Sequence, residues 1–326
     1  MDNLAHSLAG WALAEAGLKK KTGLATAALI LAANLPDVDA LGLLFNENLA
    51  WRRGWTHGPI AMLILPPLLV AGLILFDKWQ TRRGTCPTDR AQLHRGWLIA
   101  LAYIGWFSHP FLDFLNTYGI RLLMPFSERW FYGDVLFIID LWLWIALGLG
   151  VWLSRRRART GVSPETRPAQ ISIAFCVAYI GAMGASSVAA EQMAKREAET
   201  RGLGPVRDVV ASPVPVNPFK RRIVFANADA YGFGEVNWLS PNRLTLEPRL
   251  NPHNMGDPAI AEARKQKAVS DFLYWSRLPY ARVERTATRT RVILADARYS
   301  DASSSNGGVN RAFVQTMDLA PAPSGQ

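Results

Sequence analysis

The sequence predicts a mainly α-helical fold: a polytopic helical membrane domain over residues 1–190, then a small extracytoplasmic α+β domain over residues 191–326. Three observations predict it. Half of the 326 residues are hydrophobic and only 19% are charged, a low share for a soluble protein. Several apolar runs approach the roughly 20 helical residues that cross a hydrocarbon core. These runs are Pro59–Phe76, Trp97–Leu115, Val135–Leu153 and Ile171–Ala190.

The region before the first run is also apolar, but Lys19–Lys21 and two aspartates interrupt it. We therefore predict two shorter helices joined as a hairpin, roughly Leu4–Leu18 and Thr22–Asn34. Asp2 or Asn3 is a suitable N-cap for the first of them. A soluble all-helical core is the alternative for residues 1–190, and it is disfavoured by the length and apolarity of the runs.

The composition changes after the fourth apolar run. From about Arg221 the residues alternate in a pattern typical of strands, and Asp257–Ser276 has a helical pattern opened by a cap residue and a proline. Pro279–Thr286 and Arg289–Ala297 form a predicted hairpin. We predict that Ala320–Gln326 is disordered.

Basic residues fall in three groups between the predicted spans: Lys19–Lys21, Lys78–Arg95 and Arg155–Arg167. The positive-inside rule predicts that all three groups are cytoplasmic. The chain is then a multi-pass protein of the bacterial inner membrane, with its C-terminal domain outside the cytoplasm. The net charge of +10 partly reports this orientation, so no nucleic-acid partner is expected.

With this orientation, histidines and aspartates gather at the outer ends of the predicted helices. Ionisable side chains at membrane depth are costly and mark functional sites by default. Imidazole and carboxylate together suit zinc, and also manganese or iron. The alternatives are that His6 is an ordinary surface histidine and that Asp37 and Asp39 lie in a solvated loop. The candidate metal ligands are His6, Asp37, His57, His109 and Asp113, with Asp37 and Asp39 as candidate catalytic residues.

His109 and Asp113 are four residues apart, a spacing that shares one helix face. Pro110 lies between them and biases His109 away from helical backbone, so we predict a broken helix with a fresh turn starting at Pro110. Asn116 and Asp140 are predicted to orient the ligands.

Two arginines, Arg52 and Arg53, lie on the predicted outer side, against the charge rule. They suit a phosphate or carboxylate group of a substrate, and the alternative is that they reach lipid head groups.

One or two divalent ions are expected. A carboxylate-bridged pair activates water and stabilises the leaving oxygen of an ester, and an aspartate not fully engaged as a ligand serves as general base. The sequence thus predicts a metal-dependent hydrolase of a phosphoester or lipid-linked substrate, with membrane lipids as partners. The alternative is a non-enzymatic membrane scaffold or transporter with a structural metal or ion site.

Several motifs carry a family resemblance: Asp2 with His6, Asn34-Leu-Pro-Asp37-Val-Asp39, Arg53-Gly-Trp-Thr-His57-Gly and Ser108-His109-Pro-x-x-Asp113. Over roughly residues 1–190 they resemble the bacterial membrane-bound metal-dependent hydrolases, a family that includes a LexA-regulated inner-membrane protein. The resemblance implies a metal-dependent hydrolase activity. A more distant similarity is to zinc-dependent phospholipase C. The later His-x-x-x-Glu helix of those enzymes has no counterpart here, which favours one or two ions.

Overall fold

A computed structural model describes residues 1–45, 52–300 and 314–319. The chain divides into two compact units, Met1–Ala185 and Ser186–Gln326. The division falls within one long helix, close to residue 190, where the sequence changes in composition.

The N-terminal unit is built from helices. The predicted N-terminal hairpin is present, and the Asp2 carboxylate caps its first helix by accepting hydrogen bonds from the backbone N–H groups of Leu4 and Ala5. A 3₁₀ segment, Leu35–Phe45, follows the second helix. The helices are α1 Asn3–Glu15, α2 Ala25–Asn34, α3 Pro59–Arg82, α4 Arg95–Phe114, α5 Leu141–Thr160 and α6 Arg167–Thr200, which continues into the second unit.

Helix α2 is the centre of this unit, and close backbone approach fixes its neighbours. A Cβ atom at Gly10 of α1 would lie 2.7 Å from the Leu29 carbonyl oxygen of α2, and one at Gly105 of α4 would lie 2.6 Å from the same atom. Glycine at both positions lets α1 and α4 approach the backbone of Leu29 closely. As a result, the N-terminal end of α1 and the C-terminal end of α4 lie beside the segment that follows α2.

The predicted polytopic helical membrane domain is wrong. Among the described helices, only α3 and α6 are long and apolar enough to cross a membrane. In α4, His109 and Asp113 interrupt the apolar run, and Leu98 and Leu101 are fully buried in the protein core. In α5 the apolar part extends from Leu141 to about residue 153, roughly 20 Å, which is short of a hydrocarbon core of about 30 Å. Two of the four predicted spans, those now seen as α4 and α5, therefore lack the features of a membrane-crossing helix.

The described part of the C-terminal unit contains two antiparallel sheets and two short helices. Its elements are β1 Asp208–Pro213, β2 Lys220–Ala226, β3 Ala230–Asn237, β4 Leu244–Leu246, β5 Asn251–Pro252, α7 Pro258–Ala263, α8 Lys267–Trp275, β6 Pro279–Arg285, β7 Thr290–Asp296 and β8 Val314–Leu319. The first sheet has the order β1-β2-β3-β4 with β5 paired to β3, and the second has the order β6-β7-β8.

The predicted C-terminal hairpin is formed by β6 and β7. The helix predicted over residues 257–276 is two helices, α7 and α8, and Asp257 caps α7 as expected. The tail over residues 320–326 lies outside the described residues.

Candidate metal centre

The structure brings all six predicted histidine and aspartate residues together in the N-terminal unit. They come from four separate stretches of chain, and every one of them is buried. His6 lies on α1, Asp37 and Asp39 lie in the 3₁₀ segment after α2, His57 precedes α3, and His109 and Asp113 lie on α4.

The centre of the group is formed by two imidazole nitrogens and one carboxylate oxygen. The Nε2 atoms of His57 and His109 are 3.1 Å apart, and each lies 3.5 Å from Oδ2 of Asp113. Two ligand atoms held tetrahedrally at about 2.0–2.1 Å from a zinc ion would be roughly 3.3 Å apart. Oδ1 of Asp37 lies 3.8 Å from His109 Nε2 and offers a fourth donor atom. The two Nε2 atoms and Asp113 Oδ2 have the spacing of neighbouring ligands in a tetrahedral set, and Asp37 Oδ1 lies at a slightly greater distance from His109.

His6 approaches the same carboxylate from its other oxygen. His6 Nε2 lies 3.4 Å from Asp113 Oδ1, and the His6 ring stacks on that of His109 with 3.7 Å between ring centroids. The amino group of Met1 also contacts Asp113 Oδ1. The two oxygens of Asp113 therefore have different neighbours: Oδ1 faces His6 and the Met1 amino group, and Oδ2 faces the two central imidazoles.

The helix break predicted at Pro110 is not present. Helix α4 runs continuously from Arg95 to Phe114 with Pro110 inside it, so His109 and Asp113 do share one face. Pro110 removes one backbone donor from the helix, and its ring is buried in the protein.

Each central imidazole is oriented through its second nitrogen. His109 Nδ1 lies 2.7 Å from the Ala33 carbonyl oxygen, which only accepts, so Nδ1 carries the hydrogen and the lone pair of the neutral ring is on Nε2. His57 Nδ1 lies 3.0 Å from Thr56 Oγ1 and 3.6 Å from Asp39 Oδ2. Such contacts fix the ring orientation of metal-binding histidines in general.

The two neighbouring aspartates occupy different positions. Asp37 belongs to a group with His57 and His109 whose ligand atoms all lie within 4.8 Å of one another. Asp39 instead accepts hydrogen bonds through Oδ2 from the Arg53 N–H at 2.7 Å and from Thr56 at 3.3 Å. Asp37 therefore lies among the atoms that could hold a metal ion, and Asp39 lies behind His57.

Arg53 is a buried partner of Asp113. Its Nη2 lies 3.0 Å from Asp113 Oδ1, while Nη1 donates to Asn116 Oδ1 at 2.9 Å, and the guanidinium stacks on the Tyr118 ring. Its φ of 55° is unusual for a residue with a side chain. This conformation directs the backbone N–H to Asp39 and the side chain to Asp113. Asn116 thus acts on the ligands through Arg53.

Arg52 has a different environment, because 29% of its side chain is exposed. Its Nη2 lies 3.6 Å from Asp37 Oδ1, and its Nε lies 3.8 Å from Asp39 Oδ1. Of the two predicted substrate-binding arginines, Arg52 is the one that reaches solvent while contacting the candidate site.

Asp140 lies at the N-cap of α5. Its carboxylate accepts hydrogen bonds from the Leu143 N–H at 2.9 Å and from the Tyr179 hydroxyl at 3.1 Å. The sequence predicted Asp140 inside an apolar span, but it begins the helix, and this capping role accounts for an acid at that position.

Burial and neighbouring charge set the protonation of the site. Burial lowers the pKa of His57 to about 4 and, together with the nearby His109, lowers the pKa of His6 to about 3. Burial alone would raise the pKa of Asp113, but the Arg53 guanidinium, the Met1 amino group and His109 together outweigh it and hold that pKa well below its usual range. Burial raises the pKa of Asp39. Neutral imidazoles and an ionised carboxylate are the forms that bind metal.

The donor set fits a divalent cation. Within the described part of the chain, His6 Nε2, Asp37 Oδ2 and Asp113 Oδ2 are buried atoms that make no hydrogen bond. Leaving buried polar atoms without a partner costs about 1–3 kcal/mol each. A cation bound among these lone pairs would satisfy them, since mixed imidazole and carboxylate ligands suit zinc, manganese and iron.

Sequence reasoning missed Thr56 and the Ala33 carbonyl, which orient His57 and His109. The position of Thr56 next to His57 was an available signal. The carbonyl is a backbone group, and no residue type reveals it. The need for glycine at position 58 is likewise visible only in the structure. A Cβ atom there would lie 2.1 Å from the Met124 carbonyl oxygen, so only glycine allows the two backbones to approach so closely.

Comparison with known proteins gives a family and no activity. YfhP of Bacillus subtilis (strain 168), described as an uncharacterized protein, is 26% identical over 129 residues, which cover 38% of this chain and 36% of that relative. No solved structure matches. Residues 1–190 match the family described as YdjM inner membrane protein. This description supports a bacterial inner-membrane family, but it does not support the similarity to metal-dependent hydrolases or to phospholipase C. The chain therefore belongs to the YdjM family of inner membrane proteins.

Proposed function

We propose that the protein is a metal-dependent hydrolase of the inner membrane that acts on a phosphoester or lipid-linked substrate. One observation carries this proposal: the Nε2 atoms of His57 and His109 and Oδ2 of Asp113 lie 3.1 to 3.5 Å apart. One or two divalent ions, with zinc preferred over manganese or iron, would be held by these residues together with Asp37 and His6. Such an ion lowers the pKa of bound water and polarises a phosphoryl oxygen.

Two neighbouring residues have the chemistry that hydrolysis needs. Oδ1 of Asp39 is buried without a hydrogen bond among the described residues, and the raised pKa of this carboxyl favours proton uptake. We assign it as the acceptor of the proton of the attacking water. Arg52, partly exposed and beside both acids, would bind the anionic phosphate of the substrate.

A binding-only role is the second candidate, and the depth of the site favours it. His6, His109 and Asp113 are completely buried. A site closed in this way is typical of a structural metal, in a membrane scaffold or a transporter. The two candidates differ in one respect: a structural metal stabilises the fold without turnover, whereas a catalytic one requires Asp39 for turnover.

The decisive experiment combines metal analysis with turnover. The full chain is purified in detergent, its zinc, manganese and iron are quantified, and hydrolysis of phospholipid vesicles and of a chromogenic phosphodiester is measured with each metal added. We expect His109→Ala to lose metal and activity. Asp39→Asn should retain metal and lose about 100-fold or more in kcat, the range for a lost general base.

The matched control is His94→Asn, which removes a histidine outside the centre. His94 caps α4 by accepting from the Trp97 N–H, and asparagine can make the same cap. This variant should behave as the wild type. Absence of metal from the wild type, together with wild-type behaviour of His109→Ala, would end the proposal. Bound metal without turnover would exclude the hydrolase and support a metal with a structural role only.

We further infer that the metal centre faces outward. Basic residues gather at the other end of the N-terminal unit, where Lys20 pairs with Glu165 and Arg155 lies 3.8 Å from Glu15. Helix α3, which is long enough to cross a membrane, begins just after His57 at the candidate centre and ends at Arg82 among the basic residues. Helix α1 also begins at the centre and ends at Glu15, shortly before Lys19–Lys21. The positive-inside rule favours a cytoplasmic location for the basic end.

Cysteine labelling tests this orientation. Cys86 follows α3 near the basic residues, and Ser127→Cys would introduce a thiol in the loop after α4. In intact cells a membrane-impermeant maleimide should label the new thiol and spare Cys86, in a Cys176→Ser background. The opposite labelling pattern would place the site on the cytoplasmic side.

A further inference from the structure

A groove separate from the metal centre runs along the surface between α5 and α6. Its volume is about 690 Å³, within the range of ligand-binding clefts. Most of its walls are apolar, and two arginines lie at one end. The lining includes Trp142, Ile145, Leu149, Ile171, Phe175 and, at the basic end, Arg157 with Arg167.

The apolar part of this groove is open to the surroundings. Ile171 and Phe175 of α6 are 61% and 52% exposed, and Leu149 of α5 is 50% exposed. Apolar patches of this kind mark membrane or protein contacts. Since α6 is one of the two described helices that could cross a membrane, lipid is the expected neighbour of this surface.

The basic end of the groove carries net positive charge. None of its described lining residues is acidic. Glu165, in the loop between α5 and α6, pairs with Lys20. Arg157 is half-buried and contacts the Pro164 carbonyl oxygen at 3.5 Å, which holds its guanidinium at the mouth of the groove. Arginine is well suited to a phosphate, because its planar fork can donate two hydrogen bonds.

We propose that this groove binds one anionic phospholipid, with its phosphate between Arg157 and Arg167 and an acyl chain along the apolar wall. The groove extends along α5 from Trp142 to Arg157, about 22 Å at roughly 1.5 Å per residue. One leaflet of a hydrocarbon core is about 15 Å thick, so an acyl chain fits along the apolar part. Basic pockets beside membrane helices attract anionic head groups in this way, and here α6 is the helix that could cross the membrane while α5 forms the other wall. This site does not depend on the metal centre or on hydrolysis.

Native mass spectrometry of the delipidated full chain tests the proposal. Phosphatidylglycerol and phosphatidylcholine with identical acyl chains are titrated separately, and bound lipid is counted. The wild type should bind phosphatidylglycerol at least about tenfold more tightly. The double variant R157Q/R167Q should lose that preference.

The matched control is R156Q/R159Q, which removes the same charge from the same region of α5. Neither residue lines the groove, and both are exposed. This control should keep the preference for phosphatidylglycerol. An equal loss in the two double variants would overturn the proposal, because it would report general electrostatic attraction and no defined site.

A third variant, Ile171→Trp, tests the apolar wall. It adds bulk at a highly exposed position of the groove, so it should weaken the binding of both lipids about tenfold while the fold is kept. Unchanged lipid binding in this variant would overturn the acyl-chain placement. If the wild type forms a dimer whether or not lipid is present, and Ile171→Trp dissociates that dimer, then a second copy of the chain covers the groove. That result would equally overturn the proposal.

Discussion

The Nε2 atoms of His57 and His109 face each other at 3.1 Å in a place that solvent does not reach. His109 donates its ring hydrogen from Nδ1 to the Ala33 carbonyl oxygen. The Thr56 hydroxyl donates to Asp39 Oδ2, so His57 donates from Nδ1 to Thr56 Oγ1, and both Nε2 atoms carry lone pairs. The contact brings two lone pairs of two distant stretches of chain to one point, beside the Asp113 carboxylate. This relationship supports a cation at that point and leads to the first prediction.

Metal retention should extend to unusually low pH. An ordinary histidine binds protons near pH 6.5. Burial lowers the pKa of His57 to about 4, so its ring stays neutral, and available to a metal, until the pH falls toward that value. We expect bound metal to be retained at pH 5.5 and to be released below about pH 4.5, as measured by metal content after dialysis at each pH. Half-release near pH 6.5 would show that the imidazoles are ordinary and solvated.

Arg53 and Arg52 should differ sharply in their effect on stability. Arg53→Met removes the buried partner of Asp113, and breaking a buried ion pair costs about 3–5 kcal/mol. Arg52→Met removes a partly exposed side chain and should change stability by less than about 0.5 kcal/mol. Denaturant unfolding in detergent with a chelator present measures both, so that no metal compensates for the lost arginine. Equal destabilisation by the two changes would refute the assigned roles.

Gly105 should tolerate no side chain. A Cβ atom there would lie 2.6 Å from the Leu29 carbonyl oxygen and 2.9 Å from Ala32 Cβ. Overpacking of this kind costs about 1–3 kcal/mol, and it would also displace the end of α4 that carries His109. Gly148→Ala in α5 is the matched control, since a Cβ atom added there would meet nothing within 4 Å, and it should be neutral or stabilising by up to about 1 kcal/mol. Thermal unfolding of the two variants gives the comparison, and similar melting temperatures would contradict the close packing.

The C-terminal unit should lose stability in acid through Asp296. Burial alone would raise the pKa of this carboxyl, but the attraction of Arg298, with hydrogen bonds from Arg298 and Ser276, lowers it. A depressed pKa contributes stability above the unfolded value of about 3.9, and this contribution is lost as pH falls through the folded value. Hydrogen exchange of the segment 275–300, corrected for intrinsic rates, should therefore accelerate below about pH 4.

Two substitutions separate Asp296 from general acid effects. Asp296→Asn leaves Arg298 buried without its charge partner and should cost about 3–5 kcal/mol at neutral pH, with a weaker acid dependence. Asp318→Asn removes an exposed acid paired with Arg291 and should leave the exchange of this segment unchanged. An unaltered acid dependence in Asp296→Asn would show that another group controls it.

Local patterns in the sequence were sufficient for several parts of the fold. The caps at Asp2 and Asp257 and the hairpin β6–β7 each depend on neighbouring residues and were predicted. The prediction of a polytopic membrane fold was wrong. Apolar composition does not distinguish a lipid-facing helix from α4, whose apolar face packs inside the protein. The break predicted at Pro110 failed for a related reason, since tertiary packing overrides a local backbone preference.

The sequence by itself determined which side chains could form a metal centre, because imidazoles and carboxylates in apolar surroundings are costly and few. Only the tertiary structure decided their roles. It placed Asp37 with the central histidines and Asp39 behind His57, and it buried Arg53 against Asp113 while leaving Arg52 partly exposed. Adjacent residues of one type look the same in sequence. Their roles diverge because backbone direction, such as the φ of 55° at Arg53, and long-range packing set which atoms meet.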